Sequence, residues 1–174
     1  MKKTILGVPY FQSKQTGGLQ VVNETRFGKA ILDPLLDAVG RVARDLDLLD
    51  VRVILETDLE CLRSGYCSLT TTGRPYVVID PEAAMYDDGQ RTWLDAAEIA
   101  TFIAHELRHA WQYLSGRLQN VENGVLWDGQ FVRLYDTSEM KWLLDDAELK
   151  QYDDQPWEAD ARRYAGELED EGQA

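Results

Sequence analysis

Long apolar runs are missing from this sequence of 174 residues. No stretch approaches the roughly 18 residues that a bilayer-crossing helix needs, so a helical membrane span is not expected. Cysteine is limited to Cys61 and Cys67. Two thiols make neither a disulfide framework nor a four-ligand metal site, and reduced thiols in a cytoplasmic protein are the expectation. Basic residues are scarce. There are 18 Lys and Arg against 31 Asp and Glu, a formal net charge of -13. Such a surface repels phosphate backbones, and no basic cluster offsets it, so nucleic acid is not an expected partner. Met1-Lys2-Lys3 opens like a signal peptide, but Pro9 and Gln12 interrupt the apolar stretch and no small-residue cleavage site follows. Cytoplasmic localisation is therefore expected, without membrane association. Repeats and low-complexity tracts are also missing.

What is present reads as one folded unit. Hydrophobic residues make up 44% and charged residues 28%, an ordinary globular balance. A single domain over residues 1–174 is expected, with its core at about 33–169. Asp33-Pro34 reads as a helix start, followed by Leu35, Leu36, Val39, Val42, Ala43 and Leu46 at helical spacing. Val51, Val53 and Leu55 suggest a strand. Ser68 to Thr72 and Tyr76 to Ile79 suggest two more, joined by a turn at Gly73. Asp95 and Glu98 form a capping box opening a helix with Ile99, Phe102, Ile103, Leu107, Ala110, Trp111 and Leu114 on its apolar face, closed by Gly116. Asp128-Gly129 between Leu126-Trp127 and Phe131-Val132 predicts a hairpin. Ser138 is expected to cap a further helix, and Pro156 to open a last one running to about Glu169. The fold class expected is α+β, with a small sheet packed on the 95–115 helix.

Histidine occurs twice, and both copies lie in His105-Glu106-Leu107-Arg108-His109. Positions i and i+4 of a helix share one face, so both imidazoles can reach one metal ion. Glu106 is rotated about 100° from His105 and can act on water beside the metal without ligating it. The competing reading, histidines that merely pack, would bury two polar rings on an apolar helix without partners. A catalytic zinc takes three protein ligands and keeps one position open. With no third histidine, the remaining ligand must be a carboxylate or a thiolate. The best segment is Pro156-Trp157-Glu158-Ala159-Asp160-Ala161, which offers Glu158 in the first helical turn and Asp160 beyond it.

H-E-x-x-H followed by a later helix with E-x-[DE]-A-x-x-[FY]-A resembles the small gluzincin metallopeptidases, a plan shared by HtpX-like and ImmA/IrrE-like proteins. The run from Phe102 to Gln112, with Trp127-Asp128-Gly129 ahead of Pro156-Trp157-Glu158, is similar to the minimal metallopeptidases of bacterial and phage genomes (minigluzincins). The resemblance covers roughly residues 50 to 168. It implies a zincin-like fold, zinc as cofactor, His105, His109 and Glu158 as its ligands, and Glu106 as the catalytic carboxylate. Four residues after the ligand Glu, HtpX-like proteins carry Asp and ImmA-like ones Asn. This chain has Arg162 there, with Asp160 as a substitute for the missing orienting group or as a ligand itself.

The expected activity is hydrolysis of peptide bonds in a peptide or protein substrate. Glu106 would take a proton from water and deliver it to the leaving amine. The oxyanion needs a donor, for which Tyr152, Tyr164 and Arg162 are candidates. By the resemblance, Tyr76 to Asp80 or Ser68 to Thr72 would pair with an extended substrate. Two other readings remain open: a metal-stabilised binding module that cleaves nothing, and a zinc hydrolase acting on a non-peptide bond.

Overall fold

The structure is a computed structural model describing residues 12–16, 19–25, 29–48, 50–56, 65–81, 86–87, 92–93, 96–133, 152 and 154–172. A hairpin comes first, β1 (Gln12–Thr16) and β2 (Leu19–Asn23), followed by helix α1 (Lys29–Asp45) and β3 (Arg52–Leu55). A second hairpin, β4 (Gly65–Leu69) and β5 (Pro75–Ile79), completes a sheet ordered β1-β2-β3-β5-β4. β2, β3 and β5 run parallel, while β1 and β4 are antiparallel edges. A short ladder pairs β6 (Tyr86–Asp87) with β7 (Thr92–Trp93). Helix α2 (Ala96–Leu114) precedes a three-stranded meander of β8 (Leu118–Val121), β9 (Gly124–Trp127) and β10 (Gln130–Val132). Helix α3 (Pro156–Gly172) is the last element. The chain is therefore α+β. Among the described residues no helix is long and apolar enough to cross a membrane.

Helix α1 buries Leu32, Leu35, Val39, Val42 and Leu46, a stripe at alternating three- and four-residue steps. It begins at Lys29, ahead of the expected start at Asp33-Pro34, so Pro34 lies inside it. Asp33 and Pro34 are exposed while Leu32 is buried in the core, so packing of the preceding turn outweighs the hydrogen bond that Pro34 cannot donate. The strand expected at Ser68 to Thr72 sits three residues earlier. Thr70 is drawn into the turn, where its Oγ1 accepts from the Arg74 amide at 3.0 Å and its carbonyl accepts from Gly73 N at 2.9 Å. The β1–β2 hairpin was not expected. Leu19 and Val21 pack into the same core as α1 and α2, which extends that core ahead of residue 33.

Helix α2 touches α1, α3, β4, β5 and β8, and so is the hub of the fold. Ile103, Leu107 and Ala110 are fully buried on its core side. Gly116, at φ 75°, ends the helix as expected. Asp128 and Gly129, at φ 49° and 79°, form the expected two-residue hairpin between β9 and β10. The last helix starts at Pro156 as expected. The capping residue Asp95 and the 138–147 helix lie outside the described residues.

Gly65 marks where β4 meets α2. A Cβ there would lie 2.7 Å from the Val78 carbonyl oxygen, 3.2 Å from Phe102 and 3.4 Å from Glu106 Cγ. The Val78 carbonyl belongs to the paired strand β5 and cannot retreat without loss of the ladder. Gly65→Ala is expected to destabilise the fold by about 1–3 kcal/mol, the usual cost of overpacking. Urea denaturation followed by tryptophan fluorescence checks this.

Candidate metal centre

The 3.6-residue period of α2 places His105 and His109 one turn apart, with ring planes at 89° and centroids 4.8 Å apart. Their Nε2 atoms face each other at 3.2 Å. Glu158, in the first turn of α3, brings its Oε2 to 3.3 Å from His105 Nε2 and its Oε1 to 3.6 Å from His109 Nε2. One donor atom from each of the three residues lies within 4.8 Å of the other two, an arrangement that can hold a metal ion. Among the described residues no other group of three His, Cys, Asp or Glu converges in this way. The family resemblance implied these same three residues as ligands. Asp160, the alternative ligand, is turned elsewhere: its carboxylate accepts from Arg108, Gln112, Arg117 and Arg163.

Local chemistry prepares each donor. Pro156 occupies the first helical position, and the Ala159 amide donates to the Gln155 carbonyl at 2.9 Å. Glu158 thus sits at the positive end of the α3 dipole, which favours its carboxylate. Burial alone would push the Glu158 carboxyl up. Hydrogen bonds from His105 and His109, the charge on His109 and the Tyr152 hydroxyl outweigh it and hold the group well below the carboxylate range. Tyr152 donates to Glu158 Oε1 at 2.8 Å. For His109, burial opposes the charged form, but the Glu158 hydrogen bond, the charges of Glu158 and Glu106, and the contact with Gln112 together raise its pKa.

Glu106 is buried beside this cluster, with its Cγ against Gly65 on β4. Cys67, two residues along that strand, carries a free thiol. Burial first, and then the Glu106 charge, push this thiol well above its ordinary range, which marks it as an inert neutral group. Cys61 lies outside the described residues. Of the three proposed oxyanion donors, Tyr152 contacts the cluster through Glu158. The Tyr164 hydroxyl donates to Asp45, and Arg162 is exposed on α3. Tyr113 packs with Leu118, Val125 and Trp157. Its hydroxyl is raised to about 12, through burial above all, with the Glu158 charge adding to the rise against the Asn120 hydrogen bond.

One participant was missed from the sequence. Gln112 is fully buried, and its Oε1 lies 2.9 Å from His109 Nδ1. The available signal was its spacing, three residues after His109 and on the same helix face.

The shifts dictate how pH acts on the site. His109 is raised, so its pairing with Glu158 stabilises the metal-free protein fully below the ordinary imidazole value of 6.5 and fades as pH rises through the raised value. Glu158 is lowered, so its share is complete above the ordinary 4.5 and fades as pH falls through the lowered value. The pair is therefore most stabilising between those two ordinary values. A metal needs both imidazoles deprotonated, so the metal-induced rise in Tm should grow from about pH 6 to about pH 8. Thermal melts with and without zinc at each pH check this, and Glu158→Ala should abolish most of the rise.

Compared with known protein families, curated proteins and solved structures, the chain matches no family model, no curated protein and no solved structure.

Proposed function

We propose that the chain is a zinc-dependent metallopeptidase with a zincin-like fold of the gluzincin type. The observation that carries this reading is the triangle of donors. Ligands at the zinc distances of about 2.0–2.2 Å, arranged tetrahedrally, stand about 3.3–3.6 Å from one another. The Nε2 atoms of His105 and His109 stand 3.2 Å apart, and each faces its own oxygen of Glu158, Oε2 at 3.3 Å from His105 and Oε1 at 3.6 Å from His109, so one donor atom from each residue lies within 4.8 Å of the other two. Two imidazoles and one carboxylate are also a catalytic donor set, which leaves the fourth position to the reaction.

Zinc, when bound, polarises a carbonyl and lowers the pKa of water towards neutrality. The remaining chemistry belongs to the protein. Glu106 is close enough to His109 for its negative charge to favour the protonated imidazole, and it is not among the three donors. It takes a proton from the attacking water and later delivers it to the leaving amine. The buried surroundings of Glu106 exclude bulk water and strengthen its interactions. Tyr152 holds Glu158 in place by donating its one hydroxyl hydrogen to Oε1.

The sheet supports a peptide as substrate. β4 pairs with β5 on one side and, among the described residues, with no strand on the other. It begins at Gly65, against Glu106, so a peptide added along its outer edge would run past the reacting carboxylate. The alternative docking strand, Tyr76 to Asp80, falls largely in β5, which is paired on both sides with β3 and β4 and has no free edge there.

Glu106→Gln separates the enzyme from a metal-stabilised binding module. The amide keeps the shape but accepts no proton, so about one zinc per chain should remain and the fold should be unchanged. Hydrolysis should fall by about 10²–10⁴-fold. Wild type and variant are compared on a broad peptide library with a chelator control. Cleavage that persists equally in both would refute Glu106 as the base, and binding without cleavage by wild type would favour the module.

A further inference from the structure

We propose that Asp160 is a positioning residue: acting through Gln112, it fixes His109 as the Nδ1–H tautomer and so presents the Nε2 lone pair to the metal. The inference rests on the metal centre described above and not on peptide hydrolysis.

The argument starts from the Gln112 amide, which has two possible orientations. Its Nε2 lies 2.9 Å from the Trp157 carbonyl oxygen and 3.0 Å from Asp160 Oδ2. Both are pure acceptors, so the NH2 end must face them. The reversed amide would set an oxygen against two oxygens in a buried site. Gln112 Oε1 is therefore committed to the His109 side, where it meets Nδ1 at 2.9 Å. An amide oxygen only accepts, so His109 Nδ1 must carry the proton. In a neutral imidazole the other nitrogen is then unprotonated. That nitrogen is Nε2, the atom 3.2 Å from His105 Nε2 and 3.6 Å from Glu158 Oε1.

Asp160 is held ionised for this purpose. Its buried carboxylate is ringed by guanidinium and amide donors, so both oxygens are held as acceptors. Arg108 Nε donates at 2.8 Å, Arg117 at 3.1 Å and Arg163 at 3.0 Å. A protonated Asp160 could offer a donor to the reversed amide, whereas the ionised carboxylate cannot. Orientation of a ligand histidine thus comes from a carboxylate two residues after Glu158, through an intervening amide. The position four residues after Glu158 is Arg162, which is exposed.

The test uses the full-length protein with 15N-labelled histidine. The chain has two histidines, so the ring nitrogens can be assigned without ambiguity. In metal-free wild type at alkaline pH, His109 should show a protonated Nδ1 and an unprotonated Nε2. Gln112→Leu should lose this single tautomer and raise the zinc dissociation constant, read by chelator competition, by about 10–100-fold. Asp160→Asn should give mixed tautomers, since its side-chain NH2 can donate to a reversed Gln112. Arg74→Ala, which removes an exposed side chain paired with Asp50 outside this network, should leave affinity within about twofold. A wild-type spectrum with the proton on His109 Nε2 overturns the proposal. So does a folded Gln112→Leu that keeps both tautomer and affinity. Should that variant not fold, the wild-type and Asp160→Asn spectra decide. Wild type that binds no zinc would refute the metal centre, while the tautomer spectrum would still decide the relay.

Discussion

Helix α2 has to satisfy two environments with one period. Every third or fourth residue on one side, Ile103, Leu107 and Ala110, is sealed in the apolar core. On the adjoining side Glu106, His109 and Gln112 are buried too, but polar. Each fully buried aliphatic side chain contributes about 1.5–3 kcal/mol. Each buried polar group left without a partner costs about 1–3 kcal/mol. The helix is stable in this position only if its polar face is answered group by group, and α3 supplies the answers. Glu158 meets both imidazoles, and the Trp157 carbonyl and Asp160 meet Gln112. Moving α3 by one residue would lose all of them together. The register of the two helices is thus specified by polar satisfaction, while the apolar core supplies most of the driving force.

The same logic explains why a chain with net charge -13 gathers three arginines around one carboxylate. Asp160 is 5% exposed at its side chain, and Arg108 only 13%. Removing one member of such a buried pair typically costs about 3–5 kcal/mol, because the other charge is left uncompensated. Flat aromatic faces complete the surroundings. The Arg108 guanidinium lies 3.9 Å from the Trp111 ring centroid, and that of Arg117 lies 4.4 Å from Trp127. Arg117 also binds Asp128 through two hydrogen bonds of 2.8 Å, holding that carboxyl below its ordinary range. The β9–β10 hairpin, α2 and the first turns of α3 are thereby joined through Asp160 and Arg117.

What could be read from the sequence was local. The His105/His109 face needs only the helical period, and the turns at Gly73 and Asp128-Gly129 need only residues with a tolerance for positive φ. Pro156 announced the helix that carries Glu158. The parts that escaped depend on distant pairings. The β1–β2 hairpin owes its place to the parallel pairing of β2 with β3 across the whole of α1, which no local pattern encodes. Gln112 looks like any polar residue near a helix end until Trp157, 45 residues later, is folded against it. Tyr152 and Tyr164 were indistinguishable as neighbours of the third ligand, yet one reaches Glu158 and the other reaches Asp45 on α1. Arg162 pointed to a missing orienting group because the expected slot was filled wrongly. The carboxylate that faces Gln112 lies two residues earlier, on the buried side of the same helix.

The geometry also bears on how tightly the donor triangle can be defined. The two Nε2 atoms and the two Glu158 oxygens, in contact at 3.2–3.6 Å, repel one another unless a proton or a cation lies among them. Loop-borne donors would relax apart at little cost. Here all three come from helices, and two of them are braced from behind, His109 by Gln112 and Glu158 by Tyr152. The helices in turn are locked by Asp160, whose partners include Arg108 on α2 and Arg163 on α3. The repulsion therefore cannot be relieved by movement, only by binding positive charge. Proton and metal compete for that role on the same atoms, and the bracing of Nδ1 by Gln112 leaves Nε2 as the atom they compete for. A metal at such a site would gain its affinity from rigidity that the fold has already built, with little reorganisation left to drive.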